Sequence, residues 1–79
     1  MTVQLPGLAD GAVTSPMQGT VVKIVIQEGQ HVEQGEILLI VEAMNTENPV
    51  IAPRAGTVTG LEVSVGDSTT QDAVLCELI

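Results

Sequence analysis

The chain contains two copies of one pattern, and this limits its fold more than any other feature. Shifted by 37 positions, residues 15–42 fall on residues 52–79. Seven positions are then identical: Pro16/Pro53, Gly19/Gly56, Thr20/Thr57, Val21/Val58, Gly29/Gly66, Gln34/Gln71 and Leu38/Leu75. Ile24/Leu61, Ile26/Val63, Ile37/Val74 and Val41/Leu78 stay apolar in both copies. The matched glycines and prolines are the residues that set backbone geometry. Their agreement predicts two similar β halves related by an approximate two-fold axis. Residues 43–51 join the halves through a hairpin that has no counterpart at the other end, so a function is expected there.

Seventy-nine residues make one small domain, and with no Phe, Tyr or Trp its core has to be aliphatic. Ten acids against Lys23 and Arg54 give a formal net charge of −8. That charge repels phosphate, and the chain lacks aromatic platforms for stacking bases, so nucleic acid is not an expected partner. Nor is an anionic membrane, whereas basic protein surfaces would be attracted. The longest apolar run, residues 37–41, has five residues, whereas a membrane-spanning helix needs about twenty. The N-terminus lacks the basic start and apolar stretch of a secretory signal. A single cysteine makes no internal disulfide and fits a reducing compartment, so the expected location is the cytoplasm.

Residues 1–12, with Pro6, Gly7 and Gly11, hold no sustained period and read as a leader or linker that need not be ordered; residues 13–79 read as the domain. Residues 19–27 are rich in β-branched side chains, with Val22, Ile24 and Ile26 expected on one face, and Glu28-Gly29 ends the strand. Residues 36–47 carry helix-favouring Glu, Leu, Ala and Met without an interrupting Gly or Pro. The repeat decides for strand, because the matching residues 73–79 continue a β pattern. Pro49 places residues 48–52 at a sheet edge or strand start. Residues 56–65 form the second long strand region, turned at Gly66-Asp67. Seven or eight short strands with glycine-marked turns predict an all-β flattened barrel or two-sheet sandwich.

Midway between the copies lies Glu42-Ala43-Met44-Asn45-Thr46-Glu47-Asn48, followed by Ala52-Pro53 and Gly56-Thr57-Val58 and preceded by Ser15-Pro16-Met17-Gln18-Gly19-Thr20-Val21 and Glu28-Gly29. These residues resemble the attachment region of the biotinyl domains of biotin-dependent carboxylases, nearest to the carrier domain of acyl-CoA carboxylases. The resemblance covers residues 13–79. It implies a barrel-sandwich of two four-stranded antiparallel sheets with a Glu-Ala-Met-Lys-Met turn exposed at one end. In that pattern the lysine is joined to biotin, which shuttles carboxylate between a biotin carboxylase site and a carboxyltransferase site. Biotin protein ligase, biotin carboxylase and carboxyltransferase are therefore the implied partners. A tether on a rigid pivot raises the local concentration of its cargo at each site.

The sequence departs from that pattern at its acceptor. Asn45 stands at the lysine position and Thr46 at that of the second methionine. The amide nitrogen of asparagine is delocalised into its carbonyl and is no nucleophile, whereas ligation needs a lysine amine. Lys23, the only lysine, lies far along the sequence from the turn. The implied biotin is accordingly expected to be absent, and the chain to be an unmodifiable carrier. The otherwise intact motif favours an engineered replacement; a natural loss and a sequence artefact are the alternatives. Asn45 is also simply a good former of the positive-φ turns of two-residue hairpins.

By resemblance, Met44 and Thr46 flank the attachment position and assist recognition by the ligase, with Glu42, Ala43 and Glu47 completing the turn. Lipoyl domains place Asp before the lysine and Ala after it, so Met44 points to biotin, the alternative being that it merely fills apolar space at the turn. Glu42 and Glu47 equally suit a solvated face. Cys76, among Val74, Leu75 and Leu78, reads as a buried thiol, and His31 as a surface residue without metal-ligand spacing. No catalytic triad, phosphate loop or metal set is present in the pattern, so a non-catalytic carrier is expected. The rival readings are a non-carrier interaction or scaffold domain of the same fold and, third, a lipoyl carrier.

Overall fold

Short aliphatic runs separated by left-handed turn residues can pair only with neighbours across the chain, and they do so in two matching layers. The computed structural model describes residues 11–79 as eight strands: β1 (Ala12–Thr14), β2 (Gly19–Ile24), β3 (His31–Val32), β4 (Ile37–Ala43), β5 (Thr46–Ile51), β6 (Gly56–Thr59), β7 (Ser68–Thr69) and β8 (Val74–Leu78). They form two four-stranded antiparallel sheets in the orders β1-β8-β6-β3 and β5-β4-β2-β7. The barrel-sandwich expected from the sequence is the observed architecture, and residues 36–47 are strand and turn, not helix.

Moving each strand of one sheet by 37 residues gives the other sheet in the same order, so the sequence repeat is the two-fold of the fold. Hydrogen bonds obey it too. Gly29 N–H donates to Val58 O at 2.8 Å and Gly66 N–H to Val21 O at 2.7 Å; Ala52 N–H donates to Glu36 O and Ser15 N–H to Ala73 O, both at 2.9 Å. Each half thus completes the backbone pairing of the other, and neither half is satisfied alone. The core between the sheets is built of mates: Val13 and Val50, Val21 and Val58, Leu38 and Leu75, Leu39 and Cys76, Val41 and Leu78 are all buried. With each such aliphatic side chain contributing about 1.5–3 kcal/mol on burial, the layer is held without any aromatic residue.

The structure corrects four details of the sequence reading. Val22 does not join Ile24 and Ile26 on the inner face. A β-bulge between Val21 and Lys23 shifts the alternation by one residue, so Val21 is the buried member and Val22 is half-buried. The second long strand region stops at Thr59, because Gly60 takes φ 64° and the Glu28 carboxylate accepts the amides of Gly60 and Leu61, both at 3.0 Å, in place of a ladder. The joining segment has a counterpart in part: residues 49–51 of β5 are the mates of β1, with Val50 matching Val13, and residues 43–47 have none among the described residues. Residues 1–10 of the expected leader lie outside the described residues. Gly11 and Ala12, assigned to the same leader, belong to the fold, since Leu78 N–H donates to Gly11 O and Ala12 pairs with Glu77.

Pro49 sits in β5, an edge strand, where its missing amide costs no ladder bond. Asp72 has φ 68° at the place where its mate Gly35 has φ 87°, so an L side chain occupies a backbone state suited to glycine. No cavity opens among the described residues.

Candidate functional site

The unmatched connection is a two-residue turn. β4 and β5 pair from Ile37↔Ile51 to Ala43↔Thr46, leaving Met44 and Asn45 at the apex. Their φ values of 52° and 63° are those of a type I′ turn, the form whose twist matches two antiparallel strands. Asn45 is suited to this state. Met44 is not, and a non-glycine residue held there carries roughly 1 kcal/mol of backbone cost. Its side chain is 96% exposed, so packing does not offset that cost. The expected filling of apolar space by Met44 is therefore not what the structure shows.

The structure brings all six singled-out turn residues, Glu42 through Glu47, onto one hairpin end. Glu42 and Glu47 are direct cross-strand partners and both are exposed. Like charges opposite each other weaken a strand pair, so the hairpin gains nothing from them. Asn48, quoted in the motif without a role, proves to be the brace. Its Nδ2 donates to Thr46 O at 2.9 Å and to Val41 O at 3.4 Å, tying the strand beside the turn to its own backbone. The signal for it in the sequence was an Asn inside an otherwise strand-like run, a residue type that competes for backbone partners.

Beneath the turn the strands approach closely. Gly19 of β2 has its α-carbon so near β4 that an added Cβ would lie 2.4 Å from Glu42 O and 2.7 Å from Val41 Cγ1. The hairpin base is thereby fixed onto β2. At the other end of the molecule Glu28 ties the loop after β2 to the loop after β6. The amides of Leu61 and Gly60 hold its carboxyl below the usual carboxylate range.

Chemically, the hairpin displays an amide at its apex and no amine. Lys23 lies on β2 opposite Ile40, three residues of strand short of the turn's closing pair, roughly 10 Å along the ladder. Cys76 is buried, and burial together with the nearby Glu28 and Glu77 carboxylates pushes its thiol up, away from the reactive thiolate. His31 is exposed and shares a hydrogen bond of 2.7 Å with Glu33. Among the described residues no group of three His, Cys, Asp or Glu side chains could hold a metal ion. Among the same residues no helix is long and apolar enough to cross a membrane.

Comparison with known proteins bears on the same residues. The family model for biotin-requiring enzymes, covering biotin and lipoyl attachment, matches residues 11–78. A biotin-dependent acyl-coenzyme A carboxylase alpha3 subunit from Mycobacterium leprae is 52% identical over 67 residues, 85% of this chain and 11% of that protein. The biotin carboxyl carrier protein of acetyl-CoA carboxylase from Solanum lycopersicum is 44% identical over 64 residues, 81% of this chain and 90% of that protein. Among solved structures, the urea carboxylase of Kluyveromyces lactis superposes with a TM-score of 0.82 at 29% identity, covering 100% of this chain and 7% of that one. The chain thus spans about a tenth of the large carboxylase chains it matches and nearly all of the small carrier protein.

Proposed function

The chain belongs to the family of biotin-requiring enzymes, and from that membership we infer that it is the carrier-type domain of a biotin-dependent acyl-CoA carboxylase system, in a form that cannot itself take up the biotin arm. The observation that carries this reading is the hairpin. Its type I′ geometry, its brace at Asn48 and its seat on Gly19 are those of a fixed turn that presents Met44 and Asn45 to solvent, and Asn45 stands where the resemblance places the acceptor.

Biotin attached through an amide bond needs an amine at the apex, and Asn45 does not supply one. The residues present therefore do not fit the group, and no carboxylate transfer runs through this hairpin as it stands. What the domain retains is the fold, the acidic charge and the exposed turn, so it serves as an unloaded counterpart of a carrier. A biotin protein ligase, a biotin carboxylase and a carboxyltransferase are the proteins whose surfaces it would meet. Substitution of the acceptor with retention of the turn supports this over a hairpin that has drifted as a whole.

The test is the intact mass of Asn45→Lys beside the unaltered chain after incubation of each with biotin protein ligase, biotin and ATP. One biotin on the variant and none on the unaltered chain is the expected result. No biotin on either would overturn the reading in favour of a scaffold domain. Lipoylation of the variant in preference to biotinylation would assign it to the lipoyl carriers, and biotin on the unaltered chain would implicate Lys23, which Lys23→Arg would then abolish.

A further inference from the structure

The internal two-fold supplies a control for the outer face of the paired strands, since β4 and β5 have mates in β8 and β1 with the same register. On the outer face of the sheet holding the hairpin, ladder pairing aligns Lys23 with Ile40 and Pro49 in one row and Ile37 with Ile51 in the next. Val25, just past the end of β2 and exposed, donates its amide to Leu38 O, one residue along β4 from Ile37. Val25 is 50% exposed, Ile37 46% and Ile51 53%. The mates of Val25, Ile37, Ile40, Pro49 and Ile51 are Glu62, Val74, Glu77, Ala12 and Thr14, and the pairings Ala12↔Glu77 and Thr14↔Val74 repeat the register. A carboxylate and a hydroxyl thus stand where the hairpin sheet has Ile40 and Ile51, while Glu62, the sequence mate of Val25, lies beyond the end of β6. The fold does not need apolar residues at these places, because its other half dispenses with them.

We propose that this outer face, formed by Val25, Ile37, Ile40, Pro49 and Ile51 around Lys23, is a docking surface for a partner protein that presents an apolar patch rimmed by Lys and Arg. The charge distribution selects that occupant. Glu42 and Glu47 form the next row of the same face, and the exposed Glu36 precedes Ile37, so acids border the patch within a chain of net charge −8. A second copy would bring a like charge of the same size against it. The half-exposed Val and Ile side chains amount to on the order of 300 Å², so two copies meeting through them would bury roughly half of the ~1,200 Å² at which stable interfaces begin. Contact is accordingly brief and reversible, and basic residues of the partner steer it. The surface is separate from the turn apex, and this inference does not depend on what residue 45 carries.

The experiment is a titration of the isotope-labelled chain, followed by NMR, with a synthetic peptide alternating Ile and Lys. Matched peptides with Glu for Lys or Ser for Ile serve as controls. The expected result is shifts confined to Val25, Ile37, Ile40 and Ile51 with the Ile/Lys peptide, absent from the mates on the other sheet and at least tenfold weaker with either control. The variant Val25→Glu/Ile40→Glu/Ile51→Thr, which copies the other half, should weaken binding by a further tenfold or more; if it loses its fold, Ile51→Thr alone on the edge strand should weaken it about threefold. Equal shifts on both sheets, shifts at Glu42 and Glu47 only, or no shifts would overturn the proposal. Concentration-dependent dimerisation of the chain that the triple variant abolishes would also overturn it, by assigning the face to a second copy.

Discussion

Gly19 and Gly56 are two-fold mates with identical sequence neighbours on their C-terminal side, yet they face different amounts of space. A Cβ added at Gly19 would lie 2.4 Å from the carbonyl oxygen of Glu42 and 2.7 Å from Val41 Cγ1; at Gly56 the nearest atoms are Ile79 O at 3.0 Å and Leu78 Cβ at 3.1 Å. Carbon and oxygen do not approach to 2.4 Å without repulsion, and the Glu42 carbonyl belongs to a strand paired on both sides while Val41 is fully buried. Neither neighbour can withdraw, so β2 has to move away from the hairpin base. Overpacking of this kind costs typically 1–3 kcal/mol, and with two contacts well inside the limit Gly19→Ala should fall near the top, about 2–3 kcal/mol. Gly56→Ala needs shifts of only a few tenths of an ångström and should cost about 1 kcal/mol or less. For a domain of this size these values correspond to a fall in Tm of roughly 10–20 °C for Gly19→Ala and roughly 4–8 °C for Gly56→Ala. Because the chain has no Trp, Tyr or Phe, far-UV circular dichroism and calorimetry are the suitable probes. Equal losses in the two variants, or a loss below 0.5 kcal/mol for Gly19→Ala, would refute the argument that close approach at the hairpin base is what this glycine serves.

Replacing Asp72, held at φ 68°, with glycine should raise stability by about 1 kcal/mol at most, because relief of about 1–2 kcal/mol of left-handed strain is offset in part by glycine's backbone entropy, while Gly35→Asp at its mate should lower it by a similar amount, both measured by urea denaturation. The Glu28 carboxyl is lowered in the folded state by the amides of Leu61 and Gly60, so its contribution is present above the carboxylate's unfolded pKa and is lost as pH falls through the folded value. Glu28→Gln should therefore lower Tm at pH 7 and converge with the unaltered chain in acid. Cys76, with its thiol buried and its ionisation pushed up, should react with iodoacetamide at pH 8 no faster than the chain opens, and a rate independent of added denaturant would contradict its burial. Met44 should be oxidised by dilute peroxide well before the half-buried Met17, as peptide mass mapping would show.

Much of the fold was legible because the repeat carries its own punctuation. Paired glycines and prolines marked the turns, and paired aliphatics such as Leu38/Leu75 marked the core, so two β halves followed from the sequence, although the unmatched connection was read too wide, as residues 43–51. The turn itself could be read because Asn45 is a residue that left-handed φ favours. Other details were hidden. Period-two reading placed Val22 inward, but a bulge is a mismatch between two strands and leaves no mark in either alone. The end of β6 at Thr59 depends on a carboxylate 31 positions earlier, Glu28, capturing the amides beyond it. The role of Asn48 likewise required its distance to Val41 O and Thr46 O.

The sequence by itself determined what depends on one residue or its near neighbours: the aliphatic composition of the core, the places where the chain turns, the acidic charge and the absence of an amine at position 45. Tertiary structure decided what depends on pairs of distant segments. It made β1 the mate of β5, exchanged hydrogen bonds between the halves, set Glu42 against Glu47 and gathered Val25, Ile37, Ile40 and Ile51 onto one outer face. The physical reason is that side-chain facing in a sheet is fixed by register, and register is a property of two strands together. Two copies of nearly one pattern thus share a backbone while presenting different chemistry to the solvent.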